Sequence, residues 1–101
     1  MTETPLKKLI DAARVKMGSF DRPVTVADVL QELNFVRYKA GRPTVSRSAL
    51  CAWIGVTAKG RGVFKPADKQ TADDLVKALR KLGMKTTVSE LWPGAVWRAK
   101  P

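Results

Sequence analysis

The chain reads as all-α: a small helical bundle of four to five helices, with room for a short β element at a basic loop or at the C-terminal tail. Three observations carry this reading. Apolar residues recur at three- and four-residue spacing in separate segments, residues suited to helix starts stand just before those segments, and glycines stand just after several of them. At 101 residues the chain is the size of one domain with a modest core, so residues 1–101 are read as a single unit, with 95–101 an edge strand or a flexible tail.

Thr4 followed by Pro5 suits an N-cap and first helical position, because proline there loses only an amide that would be unpaired anyway. Leu6, Leu9, Ile10, Ala13 and Met17 continue the pattern to a stop at Gly18, predicting a first helix up to Met17. Residues 18–23 read as a turn. Thr25 with Asp28 resembles a capping box, so a second helix starts near Val26, with Val26, Val29, Leu30 and Leu33 on one face. Phe35 and Tyr38 extend that apolar surface, and the helix is expected to end near Leu33 or Phe35. Gly41 and Pro43 then favour a loop or an extended arm.

Ser46 is a good N-cap for a third helix, Arg47 to Ile54, with Gly55 just past its end. Residues 56–66 contain Gly60 and Gly62 among cations and read as a basic loop, with a short strand conceivable at Val63 and Phe64. Thr71 with Asp74 suggests another capped start, and Ala72, Leu75, Ala78, Leu79 and Leu82 form the stripe of a helix ending at Gly83. On this reading Asp73 and Asp74 sit in the first turn and Arg80 and Lys81 in the last, complementing the helix dipole. Thr87 and Glu90 cap a short final helix that Pro93 and Gly94 terminate.

Composition narrows the chemistry. No segment is apolar for the roughly 18 residues a membrane span needs, and MTETPLKKL lacks the features of a secretory signal, so a soluble, cytoplasmic protein is expected. A single cysteine, Cys51, excludes an internal disulfide. With no histidine and one cysteine, the chain cannot build an ordinary zinc site or a histidine-based catalytic mechanism. No catalytic residue, metal or cofactor is therefore expected.

The charge pattern is more informative. The net charge is +10, yet from Asn34 to Ala67 there are 34 residues with no Asp or Glu and seven cations: Arg37, Lys39, Arg42, Arg47, Lys59, Arg61 and Lys65. A solvated surface usually mixes both signs, so this window favours a polyanionic partner over a plain charged loop. The helix at 47–54 lies inside it. At about 100° per residue, Ala49, Leu50, Trp53 and Ile54 fall on one side and Arg47, Ser48, Cys51 and Ala52 on the other. That second face is small and polar apart from one long cation, which suits close approach to base edges in a major groove.

The segment Thr44-Val-Ser-Arg-Ser-Ala-Leu-Cys-Ala-Trp-Ile54 resembles the second half of the helix-turn-helix in lambda-repressor-like regulators of phages and plasmids, which often read V-S-R-S-x-L-x-x-W. Val88-Ser-Glu-Leu-Trp-Pro93 is similar to the E-x-I/L-W-P segment closing Ner-type phage regulators. Together the two segments cover 17 of the 101 residues. The resemblance implies a helix-turn-helix-like element in which Val45, Leu50 and Trp53 pack and the polar residues between them face DNA. The chain departs from the pattern before Arg47, where the expected helix end lies about ten residues away rather than across a turn of three or four.

The expectation is thus a double-stranded-DNA-binding transcriptional regulator, a repressor acting as a homodimer. Arg47, Ser48, Cys51 and Ala52 are expected to read bases, and Arg37, Lys39, Arg42, Thr44, Ser46, Lys59, Arg61 and Lys65 to contact the DNA backbone. Residues 36–46 are left as an expanded turn, a DNA-binding arm or a continuation of the helix. Two other readings share the same features: an RNA- or single-strand-binding module, and a small inhibitor or adaptor that binds an acidic protein surface. Lys59-Gly-Arg-Gly-Val63 lacks the Gly-Lys-Ser/Thr of a phosphate-binding loop and reads as a DNA-backbone loop or a solvated turn. Trp53 and Trp92 fit core or dimer packing by their spacing, while Trp97 is open between packing and stacking.

Overall fold

A computed structural model describes residues 5–17, 19–55, 66, 68–95 and 97, with the backbone alone for 15–17. Five helices and one short hairpin follow in the order α1 (Pro5–Ala12), β1 (Arg14–Met17), β2 (Phe20–Pro23), α2 (Val26–Lys39), α3 (Arg47–Ile54), α4 (Lys69–Lys81) and α5 (Val88–Leu91). The protein is the small helical bundle that the periodicity predicts. Leu6 and Ile10 of α1, Val29 and Leu33 of α2, Leu50 and Ile54 of α3, and Leu75 and Leu79 of α4 meet in one core, closed by Leu91 and Trp92.

The first difference from the sequence reading is at α1, which stops at Ala12 instead of Met17. Arg14 to Met17 alternates polar and apolar residues, and the stretch pairs antiparallel with Phe20–Pro23, Arg14 opposite Pro23 and Met17 opposite Phe20. Burial of Leu6 and Ile10 already satisfies the helical stripe, so the period-two segment is free to pair with its neighbour. The β element therefore lies at 14–23. The sites expected for it, residues 63–64 and most of 95–101, lie outside the described residues, as do Thr4 and Gly18.

The capping box at the start of α2 is present as expected: the Asp28 N–H donates to Thr25 Oγ1 at 3.2 Å and the Thr25 N–H donates to Asp28 Oδ2 at 2.9 Å. Arg22 of β2 adds a fork to the same carboxylate, at 2.7 and 2.8 Å, fastening the hairpin to the helix start. Arg22 holds Asp28 well below the usual carboxylate range, against burial and with help from Thr25.

The helix runs on to Lys39, past its expected end. Phe35 and Tyr38 do not extend the apolar surface; they are 50% and 78% exposed. The reason is angular, since two and five residues from Leu33 correspond to about 200° and 140° around the axis, away from the core.

Gly41, at φ 74°, ends α2: its N–H donates to Tyr38 O at 3.1 Å, and the Arg42 N–H donates to Arg37 O at 2.9 Å. This paired pattern needs a left-handed residue, which glycine supplies without steric cost. Helix α4 ends in the same way at Gly83, with Met84 buried just beyond it. Its start differs from the expected one. Asp68, not Thr71, is the N-cap, accepting from the Thr71 N–H at 3.4 Å. Thr71 and Asp74 consequently lie inside the helix and are buried, and Asp74 is not a first-turn dipole partner.

Candidate nucleic-acid interface

Helix α3 is short but held at both ends. The Ser46 Oγ accepts from the Ala49 N–H at 3.1 Å, and Gly55 follows the helix at φ 89°. Leu50 and Ile54 are buried, and Trp53 packs half-buried against the core. Arg47 and Ser48 are exposed, whereas Cys51 and Ala52 are half-buried. Burial thus separates Leu50 and Ile54 from Arg47 and Ser48, while Cys51 and Ala52 are covered to the same half-buried degree as Ala49 and Trp53 on the other side of the wheel.

The connection between α2 and α3 occupies residues 40–46 and is an ordered turn. Asn34 grips it from α2: its Nδ2 donates to Val45 O at 3.1 Å and its Oδ1 accepts from the Val45 N–H at 2.7 Å. A side-chain amide replaces backbone partners here, which fixes the chain one residue before the Ser46 cap. The Arg37 Nε also donates to Pro43 O.

Beneath this turn lies an ion network. Asp74 of α4 is 0% exposed. Arg42 donates to it twice, Nε to Oδ2 at 2.8 Å and Nη2 to Oδ1 at 2.6 Å. The Arg37 Nη1 donates to Oδ2 at 3.0 Å and to Thr71 Oγ1 at 3.1 Å, and the Gln70 Nε2 donates to Oδ1 at 3.3 Å. Burial by itself would push the Asp74 carboxyl up. The Arg42 hydrogen bonds and charge, then Gln70 and the Arg37 charge, outweigh it and hold the group below its ordinary value. Asp74 therefore ties α4 to the end of α2 and to the turn that delivers α3.

The network changes the expected DNA-backbone set. Arg37 is 8% exposed and engaged internally, so it is not a surface contact for phosphate. Arg42 presents its fork to Asp74 instead of outward. Lys39, Thr44 and Ser46 are exposed, although the Ser46 oxygen is already a cap. Lys59, Arg61 and Lys65 lie outside the described residues. Of the seven cations in the acid-free window, the described surface keeps Lys39 and Arg47.

Asp74 as the partner of two window arginines was not expected from the sequence. A signal was present: four residues before Ala78 and three after Thr71, Asp74 flanks the apolar stripe, whereas Asp73 falls on the opposite side.

A second basic surface lies outside the window. A groove of about 640 Å³ runs along α4 and α5 and is lined by Lys69, Lys77 and Arg80 together with Thr87, Ser89 and Trp97. Asp73 stands between the two lysines, four residues from each, and offsets their charge. Trp97 also packs edge-on against Trp92, ring centres 6.0 Å apart. Among the described residues no cluster of His, Cys, Asp or Glu could hold a metal, and no helix is long and apolar enough to cross a membrane. Comparison with known protein families, curated proteins and solved structures finds no match.

Proposed function

We propose that the chain is a sequence-specific double-stranded-DNA-binding transcriptional regulator, a repressor that works by occupying its site as a homodimer. The observation that carries this is the presentation of Arg47 and Ser48 on a helix whose other side, Leu50 and Ile54, is anchored in the core. A guanidinium projecting from a fixed first turn can reach a guanine edge with both donors, and small neighbours at Cys51 and Ala52 let the helix approach. The Asn34 grip and the Asp74 network restrain the preceding turn, so the helix is presented in one orientation. Lys39 and Thr44 are the described backbone-contact residues, and Lys59, Arg61 and Lys65 join them on sequence grounds.

Selection of bound duplexes from a random pool tests the reading, followed by salt titration on the recovered site. A palindrome is the expected product, since a symmetric dimer reads two half-sites. Arg47→Ala should lose about 1–3 kcal/mol on that site and relax its specificity, while Lys59→Ala should weaken all duplexes alike. Equal losses for both variants on selected and scrambled duplexes would defeat the assignment of roles.

A further inference from the structure

Helix α2 carries an exposed aromatic face. Phe35 and Tyr38 point away from the core, and Gln31, one turn before Phe35, is exposed as well. The surroundings are cationic. Lys39 and Lys81 each place their ammonium 5.2 Å from the centre of the Phe35 ring. The nearby carboxylate, Glu32, is already paired with Lys81 at 3.7 Å. Phe35 thus gathers two ammonium groups three residues before the more exposed Tyr38.

We infer that this face of α2 binds a nucleic-acid single strand, with a base stacked on Tyr38 and phosphates met by Lys39 and Lys81. Each nucleotide of a single strand supplies the two things the face lacks, a flat π surface and a negative charge. Gln31 adds a donor and an acceptor within reach of a base edge. A second copy of the chain fits less well on this face, because a twofold contact here would set the same lysines against each other. An acidic peptide answers the lysines and leaves the open ring unmatched. The surface shares Lys39 with the proposed duplex contacts but not Arg47 or Ser48, so Tyr38 is the residue whose loss distinguishes it from duplex recognition.

Fluorescence anisotropy of labelled oligo(dT) with the full chain, titrated at several salt concentrations, is the test. Tyr38→Ala should weaken binding by about tenfold and Tyr38→Phe by little, since stacking needs the ring and not the hydroxyl. Lys39→Gln should lower the slope of log affinity against log salt by about 0.7. Circular dichroism should show both Tyr38 variants folded, as the side chain is exposed. Oligo(dT) affinity within twofold of the parent in Tyr38→Ala overturns the inference. So does Tyr38-dependent binding of a poly-glutamate peptide, or Tyr38-dependent self-association in sedimentation, without oligo(dT) binding. Retained duplex binding by Tyr38→Ala alongside lost oligo(dT) binding is the expected pair, and it separates this surface from α3.

Discussion

Replacing Asp74 with Asn removes one charge and keeps the side-chain shape. Four donor contacts between 2.6 and 3.3 Å converge on this carboxylate, which has no exposed surface. Breaking a buried ion pair from one side costs about 3–5 kcal/mol, because the partner is left uncompensated. Arg37, itself buried, bears that cost; Arg42 can turn its partly exposed side chain to water, which places the expected loss near the low end, about 3 kcal/mol. In urea, at a slope of about 1.5 kcal/mol per M, the midpoint should fall by about 2 M with the slope unchanged. Arg42→Gln should cost less, since Arg37 still faces the carboxylate, and the double variant should be less destabilised than the sum of the two singles. The acid limb gives a second measure. Asp74 is held below its ordinary value of 3.8, so its stabilisation is complete above that value and declines as pH falls through it toward the native pKa. Unfolding curves of Asp74→Asn should therefore depend less on pH below about 4. A midpoint shift worth under about 1 kcal/mol, or parent and variant curves that run parallel into acid, would refute the role given to the network.

Three further outcomes follow from local geometry. Asp28→Ala removes one half of a capping box and the anchor for Arg22, and should cost about 1–2 kcal/mol in urea unfolding. Leu50→Ala, at a fully buried position on α3, should cost about 2–5 kcal/mol, and a loss below 1 would contradict its place in the core. Gly41→Ala meets no atom within 4 Å of the added carbon, so its penalty of about 1–2 kcal/mol comes from the left-handed φ of 74° alone. Gly41→Asn should recover part of it, because Asn visits that conformation more readily.

The candidate interface was legible in the residues that obey local rules. Ser46 and Gly55 bracket α3 because capping is decided within a few residues of the chain, and the same spacing assigns Leu50 and Ile54 inward and Arg47 and Ser48 outward. The backbone-contact set was less legible. Arg37 and Arg42 carry the same charge as Lys39 in the sequence, and their separation from it depends on a carboxylate more than thirty positions away. Phe35 and Tyr38 failed differently: a short apolar run near a helix end does not disclose that the helix continues past it and turns both rings outward.

By itself the sequence determined the number and order of most helices, their caps at Thr25, Ser46 and Thr87, and the stops at Gly55 and Gly83, because these depend on contacts within one or two turns. It also confined the acidic residues outside the window between Asn34 and Ala67, which made a polyanionic partner the expectation. Tertiary structure alone decided which of those cations remain on the surface. Charge is a property of a residue, whereas availability depends on what packs against it. Asp74 reaches across from α4 and engages two arginines, Arg37 buried and Arg42 half-buried, while Lys39 and Arg47 stay exposed to solvent.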